Sequence, residues 1–208
     1  AWLLWLRTAP PGDLAIIGKT ERTVARNVLP ILELLAGRHY RYNKGEGIVR
    51  LFGRPHFVYG ANDERAEAKI RGLTLAGALG DEVTLWPEGF FAQLQARLSV
   101  PGARGVYTTN PDSPYHWLKT GVIDREAELN LRRWHFVLAD NPALDPAYVR
   151  DLERLYPPGS LFHRRFVLGE WVAAEGAVFD QFDPDRHTLE GRPVPYPAYW
   201  VLAMDYGA

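Results

Sequence analysis

Cysteine does not occur in this sequence, which excludes disulfides, thiolate nucleophiles and cysteine-ligated metals and suits an intracellular setting. Lysine is nearly as scarce: of 24 basic side chains only Lys19, Lys44, Lys69 and Lys119 are lysines. An excess of one charge sign is missing too. The 24 basic residues face 25 acidic ones, so any contact with a polyanion has to come from a local patch. No apolar run is long enough to cross a bilayer. The glycine-rich pattern G-x-x-x-x-G-K-[ST] occurs nowhere in the 208 residues, and Lys19-Thr20 after the single Gly18 does not satisfy its spacing. What is present is a globular composition, 47% hydrophobic and 24% charged, over a length that fits one domain, or one domain and a fragment of another.

The order of predicted elements is that of an α/β protein. AWLLWLRTAPPG reads as a short apolar helix stopped by Pro10, Pro11 and Gly12. Leu14 to Ile17 reads as a buried strand, followed by a turn at Gly18 and a helix from about Thr20 to Leu35 that Gly37 ends. Gly47 to Phe52 and His56 to Tyr59, joined by GRP, read as a hairpin. ANDERAEAKIRG is helical by propensity and leads into the apolar run Leu73 to Gly80. WPEGFFAQLQARL carries Phe90, Phe91, Leu94 and Leu98 at helix spacing, with Pro87 in its first turn. Gly105 to Asn110 is a further short strand. Strand, helix, strand, helix, strand is the signature of a parallel sheet with crossover helices.

Beyond Tyr115 the texture becomes charged and aromatic. LDPAYVRDLERLYPPG is predicted as a helix with Asp145 as cap and Pro157, Pro158 and Gly159 as its stop, Val178 and Phe179 are strand-like, and DPDRHTLEGRPVPYP reads as a linker. The closing YWVLAMDYGA begins an apolar strand. Both ends look like cuts through secondary structure, the expectation for a stretch of a longer polypeptide.

The feature that asks for an explanation is LTLAGALGDEVTLW, in which a strand runs straight into two adjacent carboxylates, Asp81 and Glu82. Burying unpaired carboxylates costs several kcal/mol each, so a cation is expected to meet them. In open parallel sheets ligands sit beyond the carboxyl ends of the strands, where Asp81, Glu82 and the cluster Thr108, Thr109, Asn110 would all fall. An Asp at a strand end followed by Glu is the Walker B arrangement, with the Asp on a nucleotide's Mg²⁺ and the Glu on the attacking water. Strands often end in charges that merely mark a surface turn, and for the Asp-Glu pair alone that reading comes first.

The surrounding segments change that order. KIRGLTLAGALGDEVTLWPEGFFAQLQARLSVPGARGVYTTNPDSPYHWLK resembles the Walker B to motif III region of tailed-phage terminase large subunits, the ATP-driven DNA-packaging motors. RRFVLGEWVAAEGAVFDQFDPDRH and the closing VLAMDYG resemble the same family's lid or linker region and the first strand of its RNase H-like nuclease domain. The resemblance extends from about Asp13 to the end, and TTNPDSPYHWLK and GEWVAAEGAV are its most specific parts.

The resemblance implies a P-loop NTPase core of the ASCE or RecA-like kind: a mostly parallel sheet with flanking helices and a small lid subdomain. It implies an ATPase core over residues 1–114, a lid or linker subdomain over 115–182, a Pro-rich linker over 183–198 and the first nuclease strand over 199–208. Asp81 would hold Mg²⁺ and Glu82 would be the catalytic glutamate. Gly80 stands where the family more often has an aliphatic residue, a departure expected to loosen the strand end. Thr108, Thr109 and Asn110 would form the coupling element that reports the state of the γ-phosphate. Arg71 is the first candidate for the arginine that reaches a neighbouring subunit's site, with Arg65 and Lys69 as rivals; a helix-end cation near the strand explains it equally well. The phosphate loop is expected just before Ala1. Asp205 would be the first metal ligand of the nuclease site, which uses divalent Mg²⁺ or Mn²⁺.

By the same resemblance the expected ligand is ATP, and the expected partners are double-stranded DNA, a portal protein, a small terminase subunit and further copies of the chain in a ring, with no membrane partner. The place of work would be the host cytoplasm, transiently at the portal vertex of a procapsid. The rival readings are a helicase-like P-loop ATPase and a non-catalytic interaction module of the same fold. The six histidines show no metal-ligand spacing, and the paired arginines Arg132-Arg133 and Arg164-Arg165 could touch phosphates, although such pairs are usually a solvated face or salt-bridge partners. The tryptophans, among them Trp86, Trp117, Trp134 and Trp171, are expected to fill the core and the subdomain contacts.

Overall fold

The computed structural model describes residues 1–62 and 65–173. Its frame is a six-stranded sheet in the order β2-β3-β4-β1-β5-β6, with β1 Asp13–Gly18, β2 Tyr40–Asn43, β3 Ile48–Leu51, β4 Arg54–Gly60, β5 Leu75–Gly80 and β6 Arg104–Tyr107. Strands β4, β1, β5 and β6 run parallel, and β2 and β3 add antiparallel to the β4 side. The predicted parallel sheet and the β3–β4 hairpin are therefore present. Strand β2 has no clear signature in the sequence, because YRYN alternates polar and aromatic residues too briefly to mark a strand.

Strand β1 is central because every residue after Asp13 is apolar or small and can be buried on both faces. Leu14 and Ile16 face one core with Trp2, Leu29, Leu32 and Val49. Ala15 and Ile17 face the other with Ile70, Trp86, Phe90 and Leu94. Helix α1 (Trp2–Trp5) and the helical stretch after β1 cover the first face; α4 (Ala66–Ile70) and α5 (Glu88–Arg97) cover the second.

The helix expected over Thr20 to Leu35 is not continuous. It starts as α2 (Glu21–Thr23), capped reciprocally by the side chains of Thr20 and Thr23, widens into a π-type turn over Val24–Val28 and resumes as α3 (Leu29–Ala36). Pro30 explains the break: it has no N–H for the carbonyl of Arg26, and the chain relaxes to the wider Leu29 N to Val24 O bond. Helix α7 (Pro146–Leu155) begins at Asp145, whose carboxylate accepts from Ala147 N at 2.7 Å, as its sequence predicts. The strand-like Val178 and Phe179, the Pro-rich linker and the nuclease strand lie outside the described residues.

Among the described residues, His56 is the buried residue of polar type. His56 on β4 is fully enclosed between Leu14 and Val49 and meets the Trp2 indole edge-on at 5.8 Å. One ring nitrogen, Nδ1, is 3.0 Å from the carbonyl of Arg54, and Nε2 has no partner among the described residues. Burial lowers its pKa from 6.5 to about 4. The unfolded chain therefore takes up the proton first as the pH falls, so the contribution of His56 is intact at pH 7 and is lost between pH 6.5 and 4. The loss should be roughly 3 kcal/mol. Urea denaturation at pH 7 and pH 4 should show that His56→Met loses less stability on acidification than the wild type by about that amount; equal losses would rule the effect out.

Candidate functional site

The site is built where β5 leaves the sheet. Every residue from Leu75 to Gly80 is buried, and β5 lies between β1 and β6, with Ile17 opposite Gly80 on one side and Tyr107 opposite it on the other. The ladder extends one step further, because Asp81 N donates to Ile17 O at 2.8 Å and Thr108 N donates to Gly80 O at 2.8 Å. The ends of β1, β5 and β6 thus bring Lys19, Asp81 and Thr108 to the carboxyl edge of the parallel strands, the edge where such sheets receive ligands.

Gly80 does not loosen this strand end, contrary to the expectation. A Cβ there would come within 2.6 Å of the Trp86 ring and 2.7 Å of the Tyr107 ring. The missing side chain leaves room for an indole supplied six residues later, and Trp86 is almost completely buried in it. Trp86 also packs edge-on against Phe90 and Tyr107. Tyr107 stays neutral here: burial pushes its phenol well above the usual range, and its oxygen accepts from Gln95 Nε2 at 2.7 Å.

Past Asp81 the chain turns sharply. Glu82 has φ 55° and ψ 50°, the left-handed region that costs a non-glycine residue about 1–2 kcal/mol. The surroundings hold it there by satisfying each carbonyl of the turn. Trp86 Nε1 donates to Asp81 O, Leu85 N to Glu82 O and Trp86 N to Val83 O. His116 Nε2 donates to Thr84 O at 3.1 Å and Lys19 Nζ to Leu85 O at 2.7 Å. Lys19, whose pairing with Thr20 invites comparison with a phosphate loop, is thus engaged with the turn.

The three residues of the β6 exit meet the same turn. Thr108 Oγ1 donates to Asp81 Oδ1 at 2.6 Å, orienting the carboxylate. Thr109 Oγ1 accepts from Thr84 N at 3.1 Å and donates to Thr84 Oγ1 at 2.9 Å. Asn110 contributes its carbonyl to Thr84 Oγ1 at 3.3 Å, leaving its amide side chain exposed. Both Asp81 and Glu82 are half-buried, and among the described residues no side chain hydrogen-bonds the Glu82 carboxylate. The arrangement presents one oriented and one free carboxylate, side by side, at an edge with water access.

Arg71 stands elsewhere. It follows α4 and precedes β5, so the whole strand, roughly 17 Å long, separates it from Asp81. Arg97 at the last turn of α5 donates to Arg71 O at 2.8 Å, which fixes it at the amino edge of the sheet. Lys69 instead pairs with Glu21, on the first turn after β1, at 3.5 Å. Asp205 and His187 lie outside the described residues. Among the paired arginines, Arg165 is no free phosphate ligand: it bridges to Asp112 at 2.9 Å, and Arg164 bridges to Glu170 at 2.7 Å. Trp134 departs from its expected core role, with 63% of its surface exposed. A half-open cavity of about 350 Å³ lies beside the β6 exit, lined by Thr109, Asn110, Arg133, Phe136, Arg165 and Trp171. No local pattern announces it, because its walls come from segments far apart in the chain.

Comparison with known proteins decides what this edge belongs to. Residues 3–185 match the family described as terminase large subunit, T4likevirus-type, N-terminal. The chain belongs to the terminase large-subunit family. The large terminase of a thermophilic bacteriophage has the same fold, at 35% identity and a TM-score of 0.74, over 94% of this chain and 50% of that one. The same phage protein in complex with ADP matches at 33% identity and a TM-score of 0.74, over 94% of this chain and 50% of that one. In complex with ATP-γ-S it matches at 34% identity and a TM-score of 0.72, over 94% and 49%. The chain thus spans about half the length of these terminases. No curated protein sequence matches it significantly. The likeness makes the sheet a P-loop NTPase fold and sets aside the helicase-like reading.

A substitution tests the packing beneath the acids. Gly80→Ala should destabilise the terminase fold by about 1–3 kcal/mol, the usual cost of forcing an atom into a filled core. Combining it with Trp86→Leu should cost clearly less than the two changes separately, because the smaller side chain vacates the space; strict additivity in thermal denaturation would refute the close approach.

Proposed function

We propose that this chain is the larger part of the ATPase of a phage DNA-packaging motor, in which ATP hydrolysis drives double-stranded DNA into a procapsid. The observation that carries the reading is the pairing at the sheet edge: Asp81 oriented by the Thr108 hydroxyl at 2.6 Å, next to Glu82 in its left-handed turn, whose carboxylate no side chain among the described residues bonds. Residues 1–114 would be the ATPase core, 115–182 its lid, 183–198 a linker and 199–208 the start of a nuclease domain whose first ligand is Asp205.

The donor set suits Mg²⁺ on a nucleotide. It offers hard oxygens, and among the described residues no three His, Asp or Glu side chains form a cage. That matches an ion which takes one or two protein ligands and the rest from water and phosphates. Mg²⁺, when bound, would neutralise the charge that develops on the phosphate oxygens. Asp81 would hold it, aimed by Thr108. Glu82 would accept a hydrogen bond from the water that attacks the terminal phosphate and align it for attack. Thr109 and Asn110, bonded to Thr84 in the same turn, would carry a change at the phosphate into the segment beyond β6. The glycine-rich pattern that would cradle the phosphates does not occur among these 208 residues.

Arg71 is exposed and remote from its own Asp81, a placement that suits a cation serving a neighbouring subunit. In the assembled motor the chain would form a ring on the portal protein in the host cytoplasm and receive DNA from the small terminase subunit. Cutting of the DNA, with Mg²⁺ or Mn²⁺, would belong to the nuclease domain.

In the full-length protein, Glu82→Ala should lower ATP turnover by roughly 10²–10⁴-fold while ATP affinity stays within a few-fold of the wild type. Hydrolysis at the wild-type rate would sink the assignment and favour the non-catalytic module. Mixing Arg71→Ala with Glu82→Ala subunits should restore part of the activity if the arginine acts across an interface; no recovery at any ratio would remove Arg71 from the site.

A further inference from the structure

Among the described residues beyond 110, His116 holds the turn that bears Asp81 and Glu82 by a side-chain bond. His116 caps α6 (Trp117–Gly121): its Nδ1 accepts from Leu118 N at 3.1 Å. That nitrogen can then carry no proton, so the proton sits on Nε2 and is donated to Thr84 O at 3.1 Å. Only the neutral Nε2–H tautomer makes both bonds at once; the other tautomer would set a lone pair against the Thr84 carbonyl and an N–H against the Leu118 N–H.

The imidazole also faces Trp171, with ring centroids 6.1 Å apart. Trp171 belongs to a segment clasped from both sides. Arg165 bridges to Asp112 at 2.9 Å and donates to Val172 O at 2.6 Å, while Val172 N donates to Asp112 O at 3.1 Å. The acid-bearing turn, the loop after β6 and the Arg165–Val172 segment therefore converge on one imidazole.

We propose that His116 is a positioning residue for the Asp81–Glu82 turn, locking the left-handed Glu82 and tying its setting to the Arg165–Val172 segment. The inference rests on the ATPase reading of that turn, and it concerns a residue that touches neither acid. Since Thr84 is two residues from Glu82, loss of the Thr84 bond frees the turn to leave its costly conformation, so the effect falls on the chemical step and spares nucleotide binding.

Two substitutions separate the two bonds of the ring. Asn at position 116 is a good helix cap and keeps the acceptor for Leu118 N but cannot reach Thr84. Gln reaches as far as Nε2 and keeps an N–H for Thr84 O. In the full-length protein, His116→Asn should retain thermal stability yet lose about 10–100-fold in kcat for ATP, the usual scale for a residue that orients a ligating group. Its KM should stay within about twofold. His116→Gln should keep most of kcat. Amide exchange at Leu85 and Trp86, the N–H groups bonded to Glu82 O and Val83 O, should quicken in the Asn variant and stay at the wild-type rate in the Gln variant. Wild-type kcat in His116→Asn, or exchange at Leu85 and Trp86 unaffected by it, would overturn the proposal. Should the wild-type protein hydrolyse no ATP, the ATPase reading falls, and the exchange rates still decide whether His116 holds the turn.

Discussion

The Trp86 indole packs against the backbone at Gly80, and the geometry of the acidic edge follows from that contact. A side chain at position 80 would push the ring off the strand. Without the ring, Asp81 O would lose its indole donor, and α5, which starts at Glu88, would lose the anchor that brings Phe90 and Leu94 onto the second core. A small residue at the last position of a buried strand thus sets where the chain turns and where two carboxylates emerge. A similar device occurs at Gly77 of β5, which leaves space against which Trp5 and Trp2 pack. The strand reads AGALG because it receives tryptophans at both glycines, and bulky residues are needed only where no aromatic arrives.

The acidic turn is stable because its backbone polar groups are engaged. A sharp left-handed turn at a glutamate is unfavourable by itself, and an unsatisfied carbonyl beside it would add about 1–3 kcal/mol more. Five donors from four residues remove the second cost: Trp86 twice, Leu85, His116 and Lys19. The Glu82 carboxylate itself is left without a side-chain donor among the described residues, so the group suited to chemistry is available while its neighbours are fixed. That contrast between a rigid frame and a free reactive group is preorganisation in physical terms.

Much of this was legible in the sequence, and the exceptions have identifiable causes. Apolar runs bounded by turn residues located β1, β5 and β6, and Asp-Glu after a strand located the edge, because strand direction in a parallel sheet dictates where a strand's last residues go. The break at Val24–Val28 was announced by Pro30 but hidden by an otherwise regular apolar spacing. Gly80 was misread because a glycine's partner, Trp86, lies six residues downstream and only folding brings it back. His116 escaped notice as one of six histidines without metal spacing: its role depends on carbonyl 84 and amide 118 lying on opposite sides of one ring, a relation no periodicity encodes.

The segment after β6 follows from the same reasoning. Helix α7 contributes no fully buried residue to the two sheet cores, and large apolar side chains such as Leu155, Phe162 and Phe166 remain exposed around it. The Arg165–Val172 segment is tied to the sheet edge by directional contacts, namely the Asp112–Arg165 bridge, the bonds made by both backbone groups of Val172 and the tilted ring contact of Trp171 with His116, and by the packing of Trp171 against the second core. Directional contacts break and re-form with small displacements, whereas a packed core resists them. Because these contacts converge on the loop that leaves Thr108, Thr109 and Asn110, a displacement of those residues would reach the Arg165–Val172 segment and, through Trp171, the edge of the second core.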